Sequence, residues 1–354
     1  MGNLSRIIQK LVSRVDLSDD ELIFAISLIL QGKVSEASIA SFLVALQMKG
    51  ETAHELEVIM QTIKKYAVRI TPKIDGFLID TCGTGGGQIN TFNISTASAI
   101  IASSAGAKVA KHGNRSASGL CGSADFMEYI GFDIECPVAD IIKAIQHIGL
   151  GFLYAPKFHP AMQNVASARR TIGIRTVFNI IGPLANPCTN LYGQVVGAPD
   201  LRIIETLAGS LKESDLKDIM LVNSKDGLDE LSNTCENVIT RITDNEVKHI
   251  RFHPREIGLE LARLENLIVY SKEEAIRDTL RVIYGMGDKY KQDIAILNAS
   301  AALVVGQVST SLKEGVDLAQ QAVRDGRAWK QLSECIGRCG QKQALIDAER
   351  KFLQ

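Results

Sequence analysis

The amino-acid sequence predicts an α/β protein: a small all-helical domain joined to a larger α/β domain with a central, mostly parallel sheet flanked by helices. Two observations support this fold class. Residues 1–72 show only the patterns of amphipathic helices, whereas residues 73–354 alternate short apolar runs with helical patterns. We therefore predict a helical domain over 1–72 and an α/β domain over 73–354, with a boundary marked by Pro72 and Gly76.

Capped amphipathic helices make up the predicted first domain. They lie near residues 18–32, 35–50 and 52–66. The first and third begin with capping boxes, Ser18 with Glu21 and Thr52 with Glu55, and the first two end at glycine. Helices this short cannot bury all their apolar faces alone, so we expect them to pack on the rest of the chain or on another subunit.

Strands and helices alternate through the predicted second domain. The strands are expected at 77–80, 108–111, 150–154, 192–197, 218–223 and 237–242, and the helices at 96–104, 123–130, 202–213, 272–285 and 291–306. We expect Ser95 or Thr96 to cap the first of these helices. In open sheets of this kind, ligands bind beyond the carboxyl ends of the strands.

The composition is that of an ordinary globular chain. Its 354 residues are 46% hydrophobic and 22% charged, with a formal net charge of −1. This charge gives no electrostatic basis for binding nucleic acid or a membrane surface. The seven cysteines contain no CxxC pair and do not indicate a disulfide framework. We expect a cytoplasmic protein that binds neither nucleic acid nor membrane.

Two polar loops between residues 80 and 118 carry the strongest chemical signal. GTGGG at 83–87 leads to Asn93, Ser95 and Thr96, and KHGNR follows at 111–115. Glycine N–H groups, hydroxyls and a helix N-terminus together form an anion site. The P-loop pattern is absent, and a dinucleotide fingerprint fails because Gln88 replaces its last glycine. These loops indicate a pyrophosphate or metal–pyrophosphate site, with a tight structural turn as the alternative.

Two later segments add candidate ligands. Asp229 and Glu230 follow a buried strand, and adjacent carboxylates there suit Mg²⁺, although an acidic helix N-terminus is the alternative. Arg169 and Arg170 follow FHPAM at 158–162, and an arginine can grip a carboxylate with two hydrogen bonds. A solvated helix face is the other interpretation of that arginine pair.

The ordered set of motifs resembles the anthranilate phosphoribosyltransferase family. The matching segments are GTGG with TFNIST, KHGNR, GSAD at 122–125, FHPAM, RTVFNIIGPLANP and DGLDE. The resemblance implies transfer of the phosphoribosyl group of 5-phosphoribosyl-1-pyrophosphate (PRPP) to the amino group of anthranilate, in tryptophan biosynthesis, with release of pyrophosphate and a requirement for Mg²⁺. It also implies a helical domain completed by helices from within 137–190 and a homodimer formed through that domain.

The same resemblance implies roles for individual residues. PRPP would be bound by Gly83, Gly85, Gly86, Thr91, Asn93, Ser95, Thr96, Lys111 and Ser123. Anthranilate would be bound by Gly83, His112, Asn114, Arg169 and Gly182, and Mg²⁺ by Ser95, Asp229 and Glu230. No general base is expected, because the aromatic amine is already a neutral nucleophile. Catalysis would rest on positioning and electrostatics.

The chain departs from the family pattern at two places. Gly87 stands where the family usually has aspartate, and Leu120-Cys121 stands where it commonly has Lys-Ser. We expect a changed dependence on Mg²⁺ or PRPP and one fewer basic contact near the phosphates.

Two other functions remain as alternatives. The first is a pyrimidine-nucleoside phosphorylase, which would carry a further C-terminal domain. The second is a non-catalytic homologue that binds nucleic acid, which the net charge and the Asn114, Arg169 and Asp229-Glu230 set disfavour.

Overall fold

A computed structural model describes residues 4–85, 87, 89–116 and 119–353. The N-terminal region contains α1 (Leu4–Val12), α2 (Asp19–Leu30), α3 (Glu36–Lys49) and α4 (Ala53–Lys65). Ser18 and Thr52 form the predicted capping boxes with Glu21 and Glu55, and Ser35 caps α3. The sequence therefore located α2, α3 and α4, because their start signals are local, but it did not delimit α1.

One seven-stranded sheet forms the centre of the described part of the chain. Its strands are β1 (Leu78–Gly83), β2 (Lys108–Gly113), β3 (Leu150–Tyr154), β4 (Leu191–Gly197), β5 (Asp218–Ser224), β6 (Asn237–Thr243) and β7 (Glu246–Phe252). Across the sheet they are ordered β3-β2-β1-β4-β5-β6-β7. The pairs from β3 to β5 are parallel, and β6 pairs antiparallel with both β5 and β7. The predicted fold class is confirmed. The strand order reverses between β1 and β4, which is where open α/β sheets bind ligands.

Helices cover both faces of the sheet. They are α5 (Ile94–Ser104), α6 (Ser123–Tyr129), α7 (Val138–His147), α8 (Ala155–Phe158), α9 (Gln163–Ile172), α10 (Val177–Ile181), α11 (Leu201–Leu211), α12 (Lys272–Ile283), α13 (Lys289–Val305), α14 (Leu312–Arg324), α15 (Arg327–Cys339) and α16 (Lys342–Phe352). Short 3₁₀ turns lie at Pro160–Met162, Gly182–Leu184, Pro254–Ile257 and Leu264–Asn266.

The start of α5 differs from the prediction. The helix begins at Ile94, and its N-cap residue is Asn93, which makes no side-chain cap hydrogen bond. The expected caps have other roles: the Ser95 hydroxyl donates to the Thr81 carbonyl, and Thr96 is buried. The prediction was wrong because Ser95 and Thr96 lie inside the first turn of the helix rather than at its cap position.

The buried apolar side chains form two clusters. One surrounds α5 and α13 on one side of the sheet. The other joins the N-terminal helices to residues of α9, α10 and α11 and to the opposite face of β4 and β5. The apolar faces of α1–α4 are therefore covered in part by later segments of the same chain. No helix among the described residues has the length and apolar character needed to cross a membrane.

Candidate active site

A cavity lies at the carboxyl ends of β1, β4 and β5. It encloses about 250 Å³ of space between atoms, part of which is open solvent. Its lining residues come from β1, β4 and β5, from α5 and α13, and from the acidic loop, residues 226–230. They are Thr81, Cys82, Ser95, Ser98, Val195, Gly197, Val222, Asp229, Glu230 and Asn298. The fold thus brings two segments separated by more than a hundred residues of sequence into one site.

Two glycines let the acidic loop lie against the sheet. A Cβ atom on Gly83 would lie 2.2 Å from Asp229 Oδ2, and one on Gly197 would lie 1.5 Å from the Asp229 carbonyl oxygen. Neither position accepts a side chain without moving the acidic loop. The Gly85 N–H donates to Asp229 Oδ2 at 2.7 Å. The predicted anion loop and the predicted metal ligand are therefore in direct contact.

Asp226 and Asn298 hold the acidic loop in place, and sequence reasoning assigned a role to neither. Asp226 accepts hydrogen bonds from the hydroxyls of Ser224 at 2.6 Å and of Ser232 and Thr234 at 2.5 Å. Burial alone would raise the pKa of Asp226, but these bonds hold it below its ordinary value. On the other side, Asn298 of α13 bonds both backbone groups of Leu231 at 2.8 and 2.9 Å.

The two carboxylates fit a magnesium ion. Burial and the neighbouring Asp229 raise the pKa of Glu230 well above its usual value. A divalent cation would relieve the cost that ionisation carries there. Within the described residues no cluster of three or more His, Cys, Asp or Glu side chains forms a metal cage. Two carboxylates beside the Ser95 hydroxyl instead match Mg²⁺, which takes its remaining ligands from phosphate and water.

Lys111 supplies a buried positive charge beside the same cavity. Its side chain is 4% exposed, and Nζ donates to the Thr81 carbonyl at 2.8 Å and to Ser95 Oγ at 2.9 Å. Burial lowers its pKa, while Asp80 acts in the opposite direction. No carboxylate among the described residues hydrogen-bonds to Nζ. This charge suits an anionic ligand at Ser95.

A second polar network fixes the turn after α10. Asp80 is fully buried and accepts hydrogen bonds from Asn186 at 2.9 Å, Gln194 at 3.1 Å and the His112 N–H at 3.1 Å. Burial raises its pKa to about 6. Gln194 also donates to the Pro183 carbonyl at 2.8 Å. Asp80 therefore ties the GPLANP turn to the end of β2, where Lys111, His112 and Gly113 continue the strand instead of forming the predicted loop.

The side chains predicted for the second substrate are left largely unpaired. His112 is buried, and its Nε2 has no partner among the described residues. Its ring lies 5.2 Å from that of His159. Burial, helped by His159, lowers the pKa of His112 well below its usual value, and burial lowers the pKa of His159 to about 4. Both imidazoles are neutral near pH 7.

Arg169 provides the positive charge on this side. Its guanidinium lies 5.8 Å from the centre of the Phe178 ring, and burial lowers its pKa. The described part of the chain offers it no hydrogen bond or ion pair. An arginine in this state favours a carboxylate ligand, because the charge is partly desolvated and its five donors are free.

The other predicted residues occupy varied positions. Asn93 donates to the Cys121 carbonyl at 2.9 Å, Thr91 pairs with Ile268, and Ser123 Oγ donates to the exposed Asn114 at 3.3 Å. Thr96 is 2% exposed, which leaves little surface for a ligand. A Cβ on Gly182 would meet nothing within 4 Å. Gly86 lies outside the described residues. The roles of all these residues stay predictions.

Comparison with known proteins identifies the family of the chain. Residues 75–329 match the model of the glycosyl transferase family a/b domain, and residues 5–67 match that of its helical bundle domain. Anthranilate phosphoribosyltransferase of Acetivibrio thermocellus is 40% identical over 94% of this chain and 96% of its own length. The chain belongs to the anthranilate phosphoribosyltransferase family.

Solved structures of the anthranilate phosphoribosyltransferase family share the fold. The enzyme of Thermus thermophilus aligns with a TM-score of 0.86 at 33% identity, over 94% of this chain and 98% of its own. The enzyme of Saccharomyces cerevisiae in complex with PRPP and Mg aligns with a TM-score of 0.83 at 25% identity, over 98% of each chain.

The two departures from the family pattern have a structural setting. Gly87 is exposed, and a Cβ there would lie 3.2 Å from the Gly227 carbonyl, so an aspartate would stand beside the acidic loop. Burial raises the pKa of Cys121 to about 12, so its thiol is neutral. Lys272 reaches this region from α12 and donates to Asp125 Oδ1 at 2.9 Å.

Arg175 contacts the glycine loop, and sequence reasoning did not single it out. Its Nη1 donates to the Gly85 carbonyl at 2.6 Å. The only sequence signal was that Arg175 begins the RTVFNIIGPLANP motif, and that motif match assigns no role to the arginine itself.

Proposed function

We propose that this chain transfers the phosphoribosyl group of PRPP to the amino group of anthranilate, giving N-(5-phosphoribosyl)anthranilate and pyrophosphate. The observation that carries the proposal is the direct contact between the glycine loop and Asp229 in a cavity that also holds Ser95 and Glu230. Family membership supports the same reaction and favours it over a nucleoside phosphorylase or a nucleic-acid-binding homologue.

The PRPP half of the site binds and orients phosphate. Lys111 supplies full charge, and Gly85 supplies an N–H donor beside the acidic loop. The wider set for PRPP is Gly83, Gly85, Gly86, Thr91, Asn93, Ser95, Thr96, Lys111 and Ser123. Mg²⁺ held by Asp229, Glu230 and Ser95 would neutralise charge on the departing pyrophosphate. The yeast structure with PRPP and Mg supports this metal.

The anthranilate half binds a flat aromatic acid. Arg169 would hold the carboxylate, and the open space beside Gly182 would admit the ring. Anthranilate would also contact Gly83, His112 and Asn114. The lowered pKa of His112 leaves a neutral imidazole with a free Nε2, which guides the substrate by hydrogen bonding rather than by accepting a proton before attack.

Three further assignments belong to the same proposal. Residues 1–72 would form a helical domain completed by helices within 137–190, and 73–354 would form the α/β domain. The second apolar cluster, which joins α2, α3 and α4 to α9 and α10, supports this division. The helical domain would form a homodimer, and the protein would act in the cytoplasm.

The decisive experiment follows the fluorescence of anthranilate. Purified protein should consume anthranilate only when PRPP and Mg²⁺ are both present. A matched reaction with orthophosphate and a pyrimidine nucleoside should release no base. Consumption of the nucleoside, or no loss of anthranilate with both PRPP and Mg²⁺ supplied, would contradict the proposal.

A further inference from the structure

We infer that Arg175 is a positioning residue that holds the glycine loop for pyrophosphate and couples the two substrate halves of the site. The inference rests on the proposed function and adds a residue to it. Arg175 lies between α9, which carries Arg169, and α10, which carries Phe178. In the chain, Arg175 therefore lies among the residues proposed to bind anthranilate, while its side chain contacts the loop proposed to bind PRPP.

The contact is made through backbone oxygens. Arg175 Nη1 donates to the Gly85 carbonyl at 2.6 Å, and Nη2 lies 3.5 Å from the Thr84 carbonyl. Arg175 is half-buried and has no ion pair with a carboxylate among the described residues. A planar guanidinium can donate to two neighbouring acceptors at once, which an ammonium group does less well. The side chain therefore serves the loop rather than a surface salt bridge.

Gly85 depends on few other contacts. It is exposed, its φ is +65°, and a Cβ there would meet nothing within 4 Å. Its N–H is bound by Asp229 and its carbonyl by Arg175, so the residue is held from opposite sides. Ordering a glycine costs more conformational entropy than ordering any other residue, and these two hydrogen bonds offset part of that cost.

The two hydrogen bonds of Gly85, from its N–H to Asp229 and from Arg175 to its carbonyl, should respond differently when pyrophosphate binds. A pyrophosphate oxygen that accepts the Gly85 N–H replaces Asp229, whose carboxylate then becomes available to a cation. The bond from Arg175 to the carbonyl does not compete with either ligand. Arg175 therefore keeps the Gly85 backbone oriented while the acceptor of its N–H is exchanged.

The position of Arg175 also links the substrates. A carboxylate bound by Arg169 orders the end of α9 and the connection to α10, and Arg175 passes that order to Gly85. Anthranilate should consequently raise the affinity for pyrophosphate, and the same coupling must act in the other direction. Removing the guanidinium should remove the coupling without removing either binding site.

The test compares Arg175→Met, Arg175→Lys and the control Arg170→Met. Arg170 is exposed on α9, and no hydrogen bond joins it to the described part of the glycine loop. Calorimetry measures the affinity for Mg²⁺–pyrophosphate with and without anthranilate, and hydrogen exchange follows residues 83–91. Arg175→Met should weaken pyrophosphate binding by about 10- to 100-fold, the range for lost hydrogen bonds to a charged group. It should also raise exchange in the loop and abolish the effect of anthranilate.

The remaining variants separate positioning from general stability. Arg175→Lys should recover part of the affinity, and Arg170→Met should match wild type. Wild-type affinity and coupling in Arg175→Met would overturn the inference, as would an equal loss in Arg170→Met. If Arg175→Met does not fold, Arg175→Lys decides: wild-type coupling there overturns the inference, and weakened coupling supports it. Failure of wild type to consume anthranilate refutes the proposed function instead, and loop exchange still tests the role of Arg175.

Discussion

The two halves of the site differ in how their polar groups are satisfied. On the PRPP side, Asp226, Lys111 and the Gly85–Asp229 contact form a closely bonded set at the edge of the sheet. On the anthranilate side, Arg169 and His112 Nε2 have no hydrogen-bond partner among the described residues. The first half must exchange internal bonds for ligand bonds, whereas the second offers free groups. Substitution of the predicted metal ligands should therefore act chiefly on turnover, and substitution of the free groups on the anthranilate side should act chiefly on the affinity for anthranilate.

The largest effect should come from removing both carboxylates. Asp229→Asn with Glu230→Gln keeps the size of both side chains and removes the charges that would hold Mg²⁺. We expect turnover at saturating PRPP to fall by about a hundred-fold or more, since electrostatic groups at a leaving group contribute on that order. The melting temperature should not fall, because both side chains are half-buried and the amides remove the unfavourable interaction with Asp229 that helps to raise the pKa of Glu230.

This double variant needs a control with the same chemistry. Glu236→Gln changes a carboxylate that pairs with Lys225 on the surface beyond the acidic loop. It should leave turnover at the wild-type value. Near-normal turnover in the double variant would remove the metal role from this pair.

Arg169→Ala should act mainly on anthranilate. We expect its KM for anthranilate to rise by about 10- to 100-fold, as for a lost charge-assisted hydrogen bond, with a smaller change for PRPP. The exposed neighbour serves as control, so Arg170→Ala should be close to wild type. Steady-state kinetics with each substrate varied in turn gives the answer. An equal rise in KM for both substrates would show that Arg169 does not bind the carboxylate of anthranilate.

Asp226→Asn should produce a moderate effect on both stability and metal affinity. The amide replaces an acceptor of three hydroxyl hydrogen bonds, so unfolding should become easier by about 1–3 kcal/mol. The apparent affinity for Mg²⁺ should fall several-fold because the loop carrying Asp229 loosens. Chemical denaturation and a Mg²⁺ titration measure the two effects. A stable variant with unchanged Mg²⁺ dependence would contradict the holding role.

The same residue predicts a dependence on pH. The folded-state pKa of Asp226 is lowered, so its ionised form contributes stability above the unfolded pKa near 4. That contribution is lost as pH falls through the folded pKa. The stability difference between wild type and Asp226→Asn should therefore shrink in acid, and denaturation at pH 7 and pH 3 checks the sign.

Gly87→Asp should give the smallest effect. It places the family's usual carboxylate beside the acidic loop, at a position where a Cβ lies 3.2 Å from the Gly227 carbonyl and needs only a slight shift. We expect the reaction to persist with a different Mg²⁺ optimum. Rates recorded across a range of Mg²⁺ concentrations at fixed PRPP should separate the two proteins. Superimposable curves would show that position 87 does not influence the metal.

Local signals explain what the sequence predicted well. The capping residues Ser18 and Thr52 act within one helical turn. The loop predicted at 111–115 was partly wrong, because β2 extends to Gly113 and only its last two residues lie beyond the strand. The adjacent pair Asp229-Glu230 was found for the same reason, since both residues follow one strand.

Contacts between distant segments explain what the sequence missed. Arg175 reaches Gly85, ninety residues away, and Asp80 joins Asn186 across the sheet. Neither contact can be predicted from a local sequence pattern. The start of α5 was misplaced because the hydroxyl of Ser95 turned to Thr81 rather than to its own helix. The antiparallel strand β7 was missed because its exposed, charged sequence resembles a loop.

The most direct test identifies the products of one reaction. Protein, anthranilate, PRPP and Mg²⁺ are mixed, and mass spectrometry and a pyrophosphate assay follow both products over time. The account predicts N-(5-phosphoribosyl)anthranilate and pyrophosphate in equal amounts, with no product when Mg²⁺ is chelated. Release of pyrophosphate without an anthranilate adduct, or no conversion of either substrate, would contradict it.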